Sequence, residues 1–252
     1  MSSSTTIAAR KKQASVKAAA NTNRRRQRRR RRHFGCAALS VAIFWVFWQT
    51  RQQWAADMRF WKAMGDVGFV LLWTTVLIGP LAKLWKPARA LLPWRRQLGI
   101  WFALASSIHA LLIFNGWARW SVSRFLGYEF IPQLGREARW EPGFGLSNIL
   151  GLTALFVGLL LAATSSDRAM KALRSSAWKF LHNGVYFVFY VGSIHALYFL
   201  FFHYTVSFHK NVPPPDWFRF WFLAMVSIVA ALHVAAFAKT VRAAQPEAIA
   251  TA

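Results

Sequence analysis

The sequence predicts an all-α membrane protein, a six-span transmembrane helix bundle with a disordered basic N-terminal arm. Three observations carry this. Apolar residues make up 56% of 252 residues while the net charge is +24. The two properties are segregated, with long uncharged runs alternating with short basic segments, which is the layout of a multi-span membrane protein. Finally, with six spans the basic segments all fall on one side of the membrane, as the positive-inside rule requires. The length allows one domain.

Taken in order, residues 1–33 form the arm. They hold twelve Lys/Arg and no acid, and end in RRRQRRRRRH. Without apolar periodicity they are expected to be disordered and cytoplasmic, where they fix orientation and meet anionic head groups of membrane lipids. Nucleic-acid binding is the competing use of an Arg-rich arm, but no aromatic residue is interleaved for stacking, so no nucleic acid is expected. A transit peptide would also be Arg- and Ser-rich; consecutive arginines do not make a clean amphipathic helix. Nor does a clear small-residue cleavage site follow Phe34–Trp48.

Residues 34–238 supply the spans, each judged against the roughly 20 residues a bilayer requires. They are 34–50, a little short, then 65–84 with Pro80 near its end, 97–117, 144–163, 179–203 and 217–238. A short cytoplasmic tail, 239–252, follows. Lys83, Lys86, Arg89, Arg95 and Arg96 lie in one inner loop, and Arg168, Lys171, Arg174 and Lys179 in the other. The opposite loops hold Asp57, Glu129, Glu137, Glu141 and Asp216. Six spans reconcile this pattern with both termini in the cytoplasm, and five would break it. The 118–143 loop is long, and Trp117, Trp120, Trp140 and Phe144 near its ends suit head-group depth. The single cysteine, Cys36, excludes an intrachain disulfide and reads as an apolar packing residue.

Four of the seven histidines, His109, His182, His195 and His233, lie within spans. An ionisable group in a span is costly and marks a functional site by default, although a single helical histidine is as often a hydrogen-bonded packing residue. At a rise of about 1.5 Å per residue, His109 lies roughly 18 Å into span three and His195 at a similar depth in span five. Two imidazoles facing one gap between helices can clamp a planar macrocycle from both sides, and histidine is a common axial ligand of haem iron. His182 lies roughly 20 Å from His195 and about 140° around an ideal helix, so a bend at Gly184 or Gly192 is needed to bring both to one seam. His233, near the inner end of span six, reads as packing.

Several motifs carry a resemblance. Arg95-Arg96-Gln97-Leu98-Gly99-Ile100-Trp101 followed by His109, Ile78-Gly79-Pro80-Leu81, Thr164-Ser165-Ser166-Asp167, and Trp178-Lys179-Phe180-Leu181-His182 with His195 occur in this order over residues 65–203. This pattern resembles the ferric reductase-like transmembrane domain family, and within it the MsrQ (YedZ) branch of haem-binding membrane subunits. The resemblance implies one or two b-type haems held by His109, His182 and His195, with electrons crossing the membrane. In larger relatives two haems are stacked by two histidines on each of spans three and five. Here Arg95/Arg96 replace the inner histidine of span three, a departure the branch shares and one that leaves the inner ligand and the haem count open.

The implied function is that of an electron-transfer subunit in the bacterial inner (plasma) membrane, an oxidoreductase component with no catalytic residue of its own. It would pass electrons from a cytoplasmic flavin reductase or from quinol to an outer-face redox partner, such as a periplasmic methionine sulfoxide reductase. No G-x-G-x-x-G follows a strand pattern, and residues 239–252 are too few for a nucleotide-binding unit, so a separate donor is expected. FMN at the basic face near Arg95 and Arg96 is a weaker expectation, because topology alone explains those arginines. The rival readings are a haem-free scaffold or anchor whose arm binds lipid or nucleic acid, and a transporter. The second is disfavoured because no Asp, Glu, Lys or Arg is expected well inside a span.

Overall fold

The computed structural model describes residues 2–139, 141–204, 212 and 214–249. Six helices are long and apolar enough to cross a membrane. The chain divides into two units, Met1–Leu39 and Ser40–Ala252.

The first helix, α1, runs Ser2–Thr50. The arm, expected to lack regular structure, is thus helical from Ser2, and residues 20–31 are exposed along it. Alanine and arginine, which dominate there, are good helix formers, and nothing in the segment stops a helix begun in the first span from running back through it.

In the second unit α2 (Ala56–Leu84) is the central helix. It packs against α3 (Arg95–Leu112) and α8 (Phe218–Ile249), and also meets α7 (Val185–Phe201). A second layer comes from α5 (Pro142–Ala163), which lies on α7 and α3. The helix α2 starts well before residue 65, where the apolar run begins, because Lys62 and Asp66 find partners and are accommodated inside it. Pro80 is buried within α2; neighbouring helices make such a residue tolerable in a span. Phe47, Ala63, Phe218 and Phe222 form a buried cluster, and Trp73 Nε1 donates to Met225 O at 2.8 Å, tying α2 to α8.

Span three is composite. A 3₁₀ segment, Lys86–Trp94, leads into α3, and a π turn, Ile113–Trp117, ends it. Span five is divided as well. The helix α6 (Asp167–Asn183) is interrupted at Arg174, where φ is 61°, and it gives way to α7 across Gly184. The bend expected at Gly184 or Gly192 therefore corresponds to a helix boundary at Gly184. The long 118–143 loop contains a helical turn, α4 (Val122–Phe125), and an antiparallel hairpin of β1 (Tyr128–Ile131) with β2 (Arg136–Arg139). Gly135, at φ 61°, closes the connection. Nothing in the loop's apolar pattern signals this hairpin, because both strands are short and largely exposed.

Candidate functional site

His109 and His195 line the same apolar cavity, between α2, α3, α5 and α7. Each ring is held in the same way by a neighbouring helix. His109 Nδ1 lies 2.9 Å from the carbonyl oxygen of Trp61, and its ring sits against Gly65, where a Cβ would approach to 3.1 Å. His195 Nδ1 lies 2.8 Å from the carbonyl oxygen of Ser147. Its ring sits against Gly151, where a Cβ would approach to 2.8 Å. In both cases the glycine follows the carbonyl residue by four positions. The physical reason is local. A helical Cα–Cβ bond tilts toward the N-terminus, so the side chain at i+4 shields the carbonyl at i. Glycine removes that shield and lets the imidazole reach the oxygen while the helix ladder stays intact.

A carbonyl oxygen can only accept, so Nδ1 carries the proton in both rings. The lone pair then resides on Nε2, the state in which histidine ligates a metal. Further contacts fix the rings. Ser147 Oγ donates to His195 O at 3.1 Å. Gly116, in the π turn, leaves room for the indole of Trp61, which would stand 2.1 Å from a Cβ there. Phe69, Phe102 and Phe199 are among the apolar walls. Among the described residues no three His, Cys, Asp or Glu converge on a metal-ion position. Two histidines are too few for a bare structural ion and match the axial pair of an iron that brings its own macrocycle.

The other histidines are elsewhere. His182 is outside this cavity, its ring stacked on Trp178 at 4.0 Å and its Nε2 3.4 Å from Thr164 Oγ1. His233 packs edge-on to Tyr186 at 4.0 Å, with Nδ1 3.3 Å from the Tyr190 hydroxyl. His209 lies outside the described residues. His203 has a defined place: it follows α7, lines the cavity's far end, and places Nδ1 2.8 Å from Glu141 Oε2.

That end of the cavity is polar. Arg51, 1% exposed, pairs with Asp66 and Asp216, and Lys62 Nζ lies 3.6 Å from Asp216. Burial opposes the guanidinium charge, but the two carboxylates outweigh it and raise Arg51 above its ordinary value. Glu141 is buried, and accepts from the hydroxyl of Tyr198. Burial pushes its carboxyl up to about 7. Burial also raises the phenol of Tyr204, as do Asp216 and Glu141. Arg51, Asp66 and Asp216 were hidden in sequence because their pairing joins the ends of three different spans; charged residues at the very edges of apolar runs were the available signal.

Comparison with known proteins gives a consistent answer. Residues 64–193 match the ferric reductase like transmembrane component family, more than half of the chain. This chain belongs to that family. The protein-methionine-sulfoxide reductase heme-binding subunit MsrQ of Pectobacterium carotovorum subsp. carotovorum (strain PC1) is 30% identical over 164 residues, 62% of this chain and 72% of the relative. The protein of the same description from Yersinia pseudotuberculosis serotype O:1b (strain IP 31758) is 34% identical over 133 residues, 53% of this chain and 59% of the relative. No solved structure matches.

Within the ferric reductase-like region lie Gly65, His109, Ser147, Gly151 and His182, while His195 stands two residues past its end. Arg95 and Arg96 have structural partners. Arg95 Nε donates to Thr75 O at 3.1 Å, and Arg96 pairs with Asp167 at 2.5 Å.

Proposed function

We propose that this protein is a haem-binding membrane electron-transfer subunit whose haem is held by His109 and His195. The observation that carries the reading is the matched pair of Nδ1-to-carbonyl contacts, each made over a glycine. They present two unprotonated Nε2 atoms to one apolar seam. The descriptions of the MsrQ relatives support the same cofactor. When bound, the haem supplies a one-electron couple. The chain's own residues do the rest. His109 and His195 orient and ligate, Trp61 O and Ser147 O fix their tautomer, and Phe69, Phe102 and Phe199 keep water from the seam.

Electrons come from a cytoplasmic flavin reductase or from quinol, and leave to an outer-face partner of the methionine sulfoxide reductase kind. The basic residues Lys83, Lys86, Lys171 and Arg174 favour an acidic donor on the inner side. The chain is read as a multi-pass protein of a bacterial inner membrane with both termini in the cytoplasm. The proposal places one haem in this cavity. His182, stacked on Trp178, is the ligand of an inner site only if its replacement alters the spectrum.

A reduced-minus-oxidised spectrum with a haem count per chain tests the reading. A red preparation with a low-spin b-type signal is expected, and that signal is lost or reshaped in His109→Ala and in His195→Ala. His182→Ala leaves it in place. A colourless preparation refutes the haem reading and favours a membrane scaffold.

A further inference from the structure

The far end of the cavity holds a group that ligation does not use. Glu141 is 4% exposed, its carboxylate 2.8 Å from His203 Nδ1 and bonded to the Tyr198 hydroxyl. Phe199 bridges this site to His195: its ring centroid is 5.1 Å from that of His195 and 5.3 Å from that of His203. Eight residues separate the two histidines, the last of them beyond α7, and through Phe199 their rings are at most about 10 Å apart. We propose that Glu141 and His203 form a proton-exchange site, which takes up one proton when an electron reaches the group held by His109 and His195 and releases it when the electron leaves. The inference rests on the function proposed above.

The physical basis is charge coupling. Arrival of an electron removes one positive charge from the ligated iron. Across about 10 Å of protein, that change acts on the Glu141–His203 pair with an energy roughly two to three times thermal. A buried carboxyl facing an imidazole has two nearly balanced forms, carboxylate with imidazolium and carboxylic acid with imidazole, and its deprotonated form adds a net negative charge. The carboxyl, raised by burial to about 7, titrates where the exchange is useful. Reduction therefore shifts the pair's titration upward by about one pH unit. The balance is simple. One electron from the donor goes to the iron, one proton from solvent goes to the pair, and no covalent bond to carbon forms or breaks. An acceptor that takes up hydrogen is then offered both.

Among the described residues, few groups face the pair. Tyr198 faces it from α7, and Tyr204 lies beside His203 with ring centroids 4.4 Å apart. Lys62 stands 5.0 Å from the Tyr204 ring, and through Lys62 come Arg51, Asp66 and Asp216, whose two positive and two negative charges cancel. From the hairpin side Arg124 lies over Trp117 at 5.7 Å, and Trp117 packs on Phe144. Among the described residues, the polar partners of Glu141 are His203 and Tyr198.

Redox potentiometry of the purified full chain, from about pH 5 to about pH 9, tests the proposal. The midpoint potential of the wild type is expected to fall as pH rises through a window about one unit wide near 7 and to be flat on either side. Glu141→Gln, which keeps the shape and removes the titration, is expected to flatten the profile with the optical spectrum unchanged. Tyr198→Phe moves the window upward, because it removes a donor to the carboxylate. A redox-induced infrared difference spectrum of the unmutated protein should carry a protonated-carboxyl signal near neutral pH. A haem-bearing wild type with a flat profile, or a Glu141→Gln variant that keeps the window, overturns the proton site alone. A preparation without haem overturns the proposed function first, and the electron-linked uptake with it.

Discussion

His195 shows how much one missing methyl group controls. Its ring occupies the place where a Cβ of residue 151 would stand, at 2.8 Å, whereas residue 65 leaves His109 slightly more room, at 3.1 Å. Gly151→Ala must move the imidazole or bend α5, at about 1–3 kcal/mol. Gly65→Ala needs a shift of only a few tenths of an ångström. Haem occupancy in purified protein is expected to fall more in Gly151→Ala than in Gly65→Ala. Equal retention in both would break the link between the glycines and the rings. Glu141 makes a second residue-scale prediction. Its carboxyl is raised from 4.5 to about 7, so folding favours the protonated form. The contribution to stability is complete below about 4.5 and is lost as pH rises through about 7. Thermal unfolding in detergent should show that loss in the wild type and not in Glu141→Gln.

At the scale of elements, Arg51 joins the end of α1 to α2 and to Asp216, two residues before α8. Removing it strands the carboxylate of Asp66 and leaves Asp216 with Lys62 as its charged partner. Arg51→Ala is expected to destabilise by about 3–5 kcal/mol, read as a drop in the detergent unfolding midpoint, and Asp66→Asn by less. The apolar runs made the six spans legible in the sequence, along with the histidines inside them, because hydropathy and the cost of an imidazole in lipid are local properties. Where α2 begins was not legible. Its first turns carry Lys62 and Asp66, whose partners lie in distant segments. The β1–β2 hairpin was equally hidden, since YEFI and REAR are too short and too exposed to show alternation. The carbonyl and glycine partners of His109 and His195 lay in plain sight as Trp61/Gly65 and Ser147/Gly151. Nothing in one chain's letters says which helix will face which.

For the whole molecule, the charge asymmetry bears on orientation and on supply of electrons. Reporter fusions after Gln13 and after Ala252 are both expected to report cytoplasm; opposite sides would rule out an even number of spans. Ala252 itself lies outside the described residues. A flavin reductase added to purified protein should reduce the haem, more slowly as salt rises, because attraction to the basic inner loops is screened. A rate indifferent to salt would remove electrostatic docking from the scheme and leave quinol as the better donor.

The two ring-to-carbonyl contacts divide the bundle along a line that the sequence order conceals. One contact stays within α2 and α3, the other within α5 and α7, and each of these pairs packs on itself more extensively than α3 packs on α5. Parting the two pairs therefore disturbs neither imidazole. Under the proposed function the two pairs would act as a vice with two finished jaws: a flat macrocycle entering between them would ask only for a change in their spacing, with both rings already aimed.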